Sequence, residues 1–182
     1  MTEALVLIDL QNDYFPGGTM ELVAAEAAVA QAARLLAAFR QQGRLVFHVQ
    51  HLASRAGATF FLPGTRGAKI HDAVQPGVSE RVVTKHFPNS FRQTTLLEDL
   101  RAAGAAKLTF AGMMTHMCVD TTVRAAADLG FACSLAHDGC ATRALRFAGQ
   151  PVDADKVQLA YLAALDGSFA NVRSAEELCA AL

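Results

Sequence analysis

The chain has 182 residues, 52% hydrophobic and 18% charged, with a formal net charge of −1. That length suits one domain, residues 1–182, with a substantial core. A near-neutral balance without a basic run speaks against nucleic acid as a partner, and the lack of any 20-residue apolar block speaks against a membrane span.

The chain opens Met1-Thr2-Glu3-Ala4 and runs straight into apolar residues, without the basic flank and cleavage site of a signal peptide, so the expected location is the cytoplasm. Strands are expected over residues 5–9, 45–50, 81–84, 108–111, 132–137 and 169–172. Helices are expected between them, over residues 24–42, 94–103, 118–129, 155–165 and 175–181. The continuous run Ala4-Leu5-Val6-Leu7-Ile8 suits a strand covered by helices on both faces. Gly43 and Gly130 follow periodic segments and read as helix stops, and Ser174 with Glu177 reads as a capping box. This alternation predicts an α/β fold, three layers deep, around a mostly parallel sheet. Residues 51–69 lack periodicity, and a loop of that length points to a cover over a substrate site.

In open α/β sheets ligands bind beyond the carboxyl ends of the strands. Three reactive residues stand at such ends: Asp9 after the first strand, Lys85 after Val82-Val83-Thr84, and Cys118 after the fourth. Each alone has a bland reading, as a turn cap, a solvated charge or a small packed residue. Together they make a site in which Cys118 attacks a carbonyl carbon and Asp9 moves the proton. A helix N-terminus and a nearby ammonium both favour the thiolate form, so Cys118 is expected to alkylate before Cys133, Cys140 and Cys179. Backbone N–H groups near Met114 and Cys118 are the expected oxyanion donors. The four cysteines show no CxxC pairing and read as free thiols.

The stretch Ile8-Asp9-Leu10-Gln11-Asn12-Asp13 with Phe15, then Thr84-Lys85, Asn89-Ser90-Phe91 with Thr94, and Gly112-Met113-Met114-Thr115-His116-Met117-Cys118-Val119 resemble the isochorismatase-like cysteine hydrolases over residues 4–172. The resemblance implies a Rossmann-like six-stranded sheet, a catalytic triad of Asp9, Lys85 and Cys118, and a cis peptide between Met113 and Met114. It also implies a homodimer or homotetramer. Nicotinamidases of that superfamily hold a metal through an Asp-x-His stretch that here reads Gln50-His51-Leu52, so no metal and no other cofactor is expected.

The expected partner is a small-molecule substrate, in a pocket lined by Phe15, Gln50, His51, Phe87 and Met117. Phe60 and Phe61 arrive either there or in the core or an interface. His116 is expected at the pocket rim or in a structural role. The favoured chemistry is hydrolysis of an amide-like C–N bond. Vinyl ether hydrolysis by Asp9, and a non-catalytic binding role, are the alternatives.

Overall fold

The computed structural model describes residues 2–182. Its eight strands are β1 (Thr2–Ile8), β2 (Leu45–His51), β3 (Arg81–Lys85), β4 (Ala105–Met113), β5 (Ala132–Ala141), β6 (Leu145–Phe147), β7 (Gln150–Val152) and β8 (Asn171–Arg173). Six of them form one sheet in the order β3-β2-β1-β4-β5-β8, each neighbouring pair parallel. The chain builds outward from β1 to β3, then returns to the other side of β1 at β4. In open α/β sheets such a reversal, here between the carboxyl ends of β1 and β4, is where ligands bind.

The apolar run of β1 explains the layers, because successive side chains point to opposite faces. Leu5 and Leu7 pack on the face that also buries Leu35, Leu36 and Phe39 of helix α1 (Ala25–Gln41) and Leu178 of α5 (Ala175–Ala180). Ala4, Val6 and Ile8 pack on the other, with Leu96 and Leu100 of α2 (Leu96–Ala102), Val123 of α3 (Asp120–Asp128) and Leu165 of α4 (Ala154–Leu165). The result is the expected three-layer α/β arrangement. The capping box at Ser174 and Glu177 is present, with Ser174 Oγ accepting from the Glu177 N–H.

Local boundaries differ from the sequence reading for identifiable reasons. The helix expected from residue 94 starts at Leu96, since the Thr94 hydroxyl donates to the Ser90 carbonyl and accepts the Leu96 N–H, capping the helix instead of joining it. The hairpin of β6 and β7 was not foreseen. Its turn residues Ala148 and Gly149 both take positive φ, 48° and 80°, the geometry that matches strand twist, but an alanine there carries none of the usual Asn-Gly signal. Among the described residues no helix is long and apolar enough to cross a membrane.

At this reversal β1 and β4 approach closely. Gly112 pairs with Ile8 and has φ +151°, and a Cβ placed on it would lie 2.2 Å from the Ile8 carbonyl oxygen. Only glycine fits there. The peptide bond between Met113 and Met114, just beyond, is cis.

Candidate active site

Four adjacent strands deliver the site in their order across the sheet: Lys85 from the end of β3, His51 from the end of β2, Asp9 just past β1, and Cys118 past β4. Asp9 and Lys85 are wholly buried, and Cys118 is 5% exposed. Lys85 must reach across β2, a span of two strand spacings, which its long flexible stem allows. Its Nζ lies 2.7 Å from Asp9 Oδ2. It also contacts His51 Nδ1 at 3.1 Å and donates to the carbonyls of Phe87 at 3.2 Å and Pro88 at 3.4 Å. Both Asp9 carboxylate oxygens are buried.

Cys118 sits in a π-type turn, Thr115–Val119, and α3 proper begins at Asp120; the sequence reading had placed it in the first turn of an α-helix. The Met114 carbonyl accepts both the Met117 N–H at 3.0 Å and the Val119 N–H at 3.2 Å, which widens the turn. The Thr115 hydroxyl ties this turn to the Ala141 carbonyl of β5.

Burial adds an influence on the thiol that a helix end and a lysine do not reveal. Burial pushes the Cys118 thiol well above the usual cysteine range, Asp9 pushes it further, and Lys85 opposes both only in part. Burial and Asp9 thus oppose the ionisation that Lys85 favours. Burial works against the Lys85 charge, but the neighbouring Asp9 and then Cys118 outweigh it, and the ammonium is held above its ordinary value. Burial keeps His51 below its ordinary value despite Asp9. Neutral His51 accepts from Lys85 through Nδ1, since an ammonium has only donors.

Of the expected pocket residues, His51 joins the cluster, 4.0 Å from Asp9 Oδ2. Gln50 points its amide away, to the Ala68 carbonyl at 2.8 Å, because neighbours on a strand face opposite sides. Phe15 packs against His71, the rings tilted by 32° with centroids 4.1 Å apart, and lines a cavity of about 410 Å³ with Asp13, Thr59 and Arg66. Phe87 lies half-buried beneath the Arg92 guanidinium at 3.8 Å. Met117 is 40% exposed beside Cys118. His116 is buried against the Thr142 hydroxyl at 2.6 Å, a structural placement.

The loop after β2 folds over this same chain's site. Phe61 is wholly buried, 4.7 Å from the Tyr14 ring and 5.8 Å from His51. Asp13 holds it there: its Oδ2 accepts the Phe61 N–H at 2.6 Å, while Oδ1 accepts the Thr19 hydroxyl at 2.9 Å. Gln11 clamps both ends of the loop, donating to the carbonyls of His51 and Ala68 and accepting the His51 N–H. The sequence reading used Gln11 and Asp13 only as marks of resemblance. Three consecutive polar residues, Gln11-Asn12-Asp13, soon after a buried strand were the available signal for this anchoring role. Tyr14, 1% exposed, was also missed; burial foremost, then Cys118 and Asp9, raises its hydroxyl well above the ordinary tyrosine value.

The family model described as Isochorismatase domain matches residues 3–177. The chain belongs to the isochorismatase family. It is 47% identical to the isochorismatase family protein YddQ of Bacillus subtilis (strain 168), over 97% of this chain and 98% of that protein. A solved isochorismatase-hydrolase structure from Oleispira antarctica superposes with a TM-score of 0.95 at 52% identity, covering 98% of this chain and 96% of that one. The streptothricin hydrolase of Streptomyces noursei is 38% identical over 77% of this chain but only 50% of its own length. More distant members of the isochorismatase family include a maleamate amidohydrolase from Pseudomonas putida, 32% identical over 70% of this chain and 67% of that protein. The family's named members are thus hydrolases, some of them amidohydrolases.

Proposed function

We propose that this protein is a cysteine hydrolase that cleaves an amide-like C–N bond of a small molecule through a thioester on Cys118. The observation that carries the reading is the buried contact of Lys85 Nζ with Asp9 Oδ2 at 2.7 Å, beside the Cys118 thiol, whose ionisation burial and Asp9 both oppose. A protonated thiol next to a carboxylate calls for proton transfer coupled to attack. As Sγ bonds to the carbonyl carbon, its proton passes to Asp9. Asp9 then gives that proton to the leaving nitrogen as the C–N bond breaks, leaving the acyl group on sulfur. Water attacks the thioester, Asp9 takes a proton from it, and the thiol regains one as the acid departs. Lys85 pairs with Asp9 and offsets the charge on sulfur, and the N–H groups of Met114 and Cys118 serve the oxyanion.

The amidohydrolase among the family relatives supports the bond class. The test is steady-state turnover of a panel of small amides, ureides and isochorismate by the native protein, Cys118→Ala and Asp9→Asn. Both variants are expected to lose at least ~10²-fold in kcat on the best amide, the scale of general acid–base catalysis. Near-native amidase activity in Cys118→Ala would overturn the reading. Vinyl ether chemistry predicts instead that Cys118→Ala stays active on isochorismate while Asp9→Asn does not.

A further inference from the structure

Lys85 does more than complete a charge pair: its ammonium lies where a metal cation would lie. It sits 2.7 Å from Asp9 Oδ2 and 3.1 Å from His51 Nδ1. One ligand atom from each of Asp9, His51 and Cys118 falls within 4.8 Å of the other two. The Nδ1 lone pair of His51 faces inward, because it meets an ammonium that can only donate. Asp9 is wholly buried, so both oxygens of its carboxylate are shielded from bulk water. Thiolate, imidazole and carboxylate together are the donor set of a thiophilic divalent cation, with one position left open for water. Of the stretch that reads Gln50-His51-Leu52 here, only its middle residue, His51, belongs to this set, and neither of the positions that carry the Asp and the His in nicotinamidases does.

We propose that Asp9, His51 and Cys118 form an inhibitory site for a thiophilic divalent cation of the zinc class. Its inhibitory effect rests on the hydrolase reading above; its existence as a metal site does not. Around a tetrahedral zinc ion, bonds of about 2.0–2.3 Å place ligand atoms roughly 3.3–3.8 Å apart, so the 4.0 Å between His51 Nδ1 and Asp9 Oδ2 needs to close only slightly. Binding converts the Cys118 thiol to a metal-bound thiolate and releases its proton to solvent; no electron moves. Lys85 gives up Asp9 and His51 but keeps the carbonyls of Phe87 and Pro88 as acceptors. Loading removes the nucleophile and the base together, so turnover stops.

Resident ammonium and incoming cation compete for the same place, which sets an unusual sign for one variant. Lys85→Met, expected to be poor in catalysis, binds metal more tightly than the native chain, by ~10-fold or more. The experiment is calorimetric titration of the full chain with Zn²⁺, paired with Co²⁺ absorption, in which a thiolate-to-cobalt charge-transfer band reports sulfur ligation. One ion per chain is expected, with that band present, with one proton released, and with Cys118 of the native chain protected from alkylation by Zn²⁺. Cys118→Ala abolishes the band, and His51→Ala weakens affinity at least ~10-fold. Circular dichroism checks that each variant is folded, and the protection experiment needs no variant at all. Lack of a band, unchanged affinity in His51→Ala, or weaker binding in Lys85→Met overturns the proposal. Because each readout is binding, its failure is separable from a failure to find turnover.

Discussion

Replacing Gly112 with alanine tests how tightly the fold and the site are joined. The added Cβ lies 2.2 Å from the Ile8 carbonyl oxygen and 2.8 Å from Ile8 Cβ, where ordinary contact starts near 3.4 Å, so β1 and β4 must part by about an ångström. Strain at φ +151° adds about 1–3 kcal/mol, and the forced backbone shift another 1–3 kcal/mol. A loss of about 4 kcal/mol is expected against a total stability of about 5–15 kcal/mol. For a chain this long that lowers the melting temperature by about 8–16 °C. Ile8 directly precedes Asp9, so the same movement carries the base away from Cys118, and a displacement of about 1 Å costs on the order of 10² in rate. Gly43→Ala is the control: its φ is +62° but nothing lies within 4 Å of the new Cβ, so only about 1–2 kcal/mol of strain applies. Calorimetric melts and kinetics on the best amide of the panel read both quantities. If Gly112→Ala melts no lower than Gly43→Ala and turns over normally, the close approach is not what holds the site together.

Other outcomes follow from the same geometry. Asp13→Ala leaves the Phe61 and Thr19 N–H groups without their acceptor, at about 1–3 kcal/mol each, so limited proteolysis and hydrogen exchange will show residues 52–69 opening first; native-like protection there would refute the clamp. Glu80 is held down to about 2, by its hydrogen bonds with Arg40 foremost and with Gly77 and His48, against an ordinary 4.5. A depressed carboxyl contributes stability that is whole above its unfolded value and is lost as pH falls from about 4.5 through about 2. Urea unfolding across that range will therefore show a steeper acid loss for the native chain than for Glu80→Gln, and parallel curves would exclude the role. Without substrate, iodoacetamide at neutral pH will label half-buried Cys179 before Cys118, reversing the order expected from a helix end and a lysine; early labelling of Cys118 would show that the thiol is ionised after all.

Local patterns carried the fold. A run such as Ala4-Leu5-Val6-Leu7-Ile8 has to be covered on both faces, and Ser174 with Glu177 satisfies helix N–H groups without help from elsewhere, so layers, strand positions and one helix start were readable from short stretches. The placing of Asp9, Lys85 and Cys118 at strand ends was readable for the same reason, because strand ends are local and their gathering follows from a parallel sheet. What depends on distant partners was not. His51 and Gln50 are adjacent in sequence, yet only the register of β2 against β3 decides that His51 meets Lys85 while Gln50 turns to the Ala68 carbonyl. Phe61 becomes a buried cover because Asp13, far back along the chain, accepts its N–H. The influences on the Cys118 thiol divide in the same way: a helix end and a lysine are visible in sequence, whereas desolvation is set by everything packed around the sulfur, and here it pushes the thiol up.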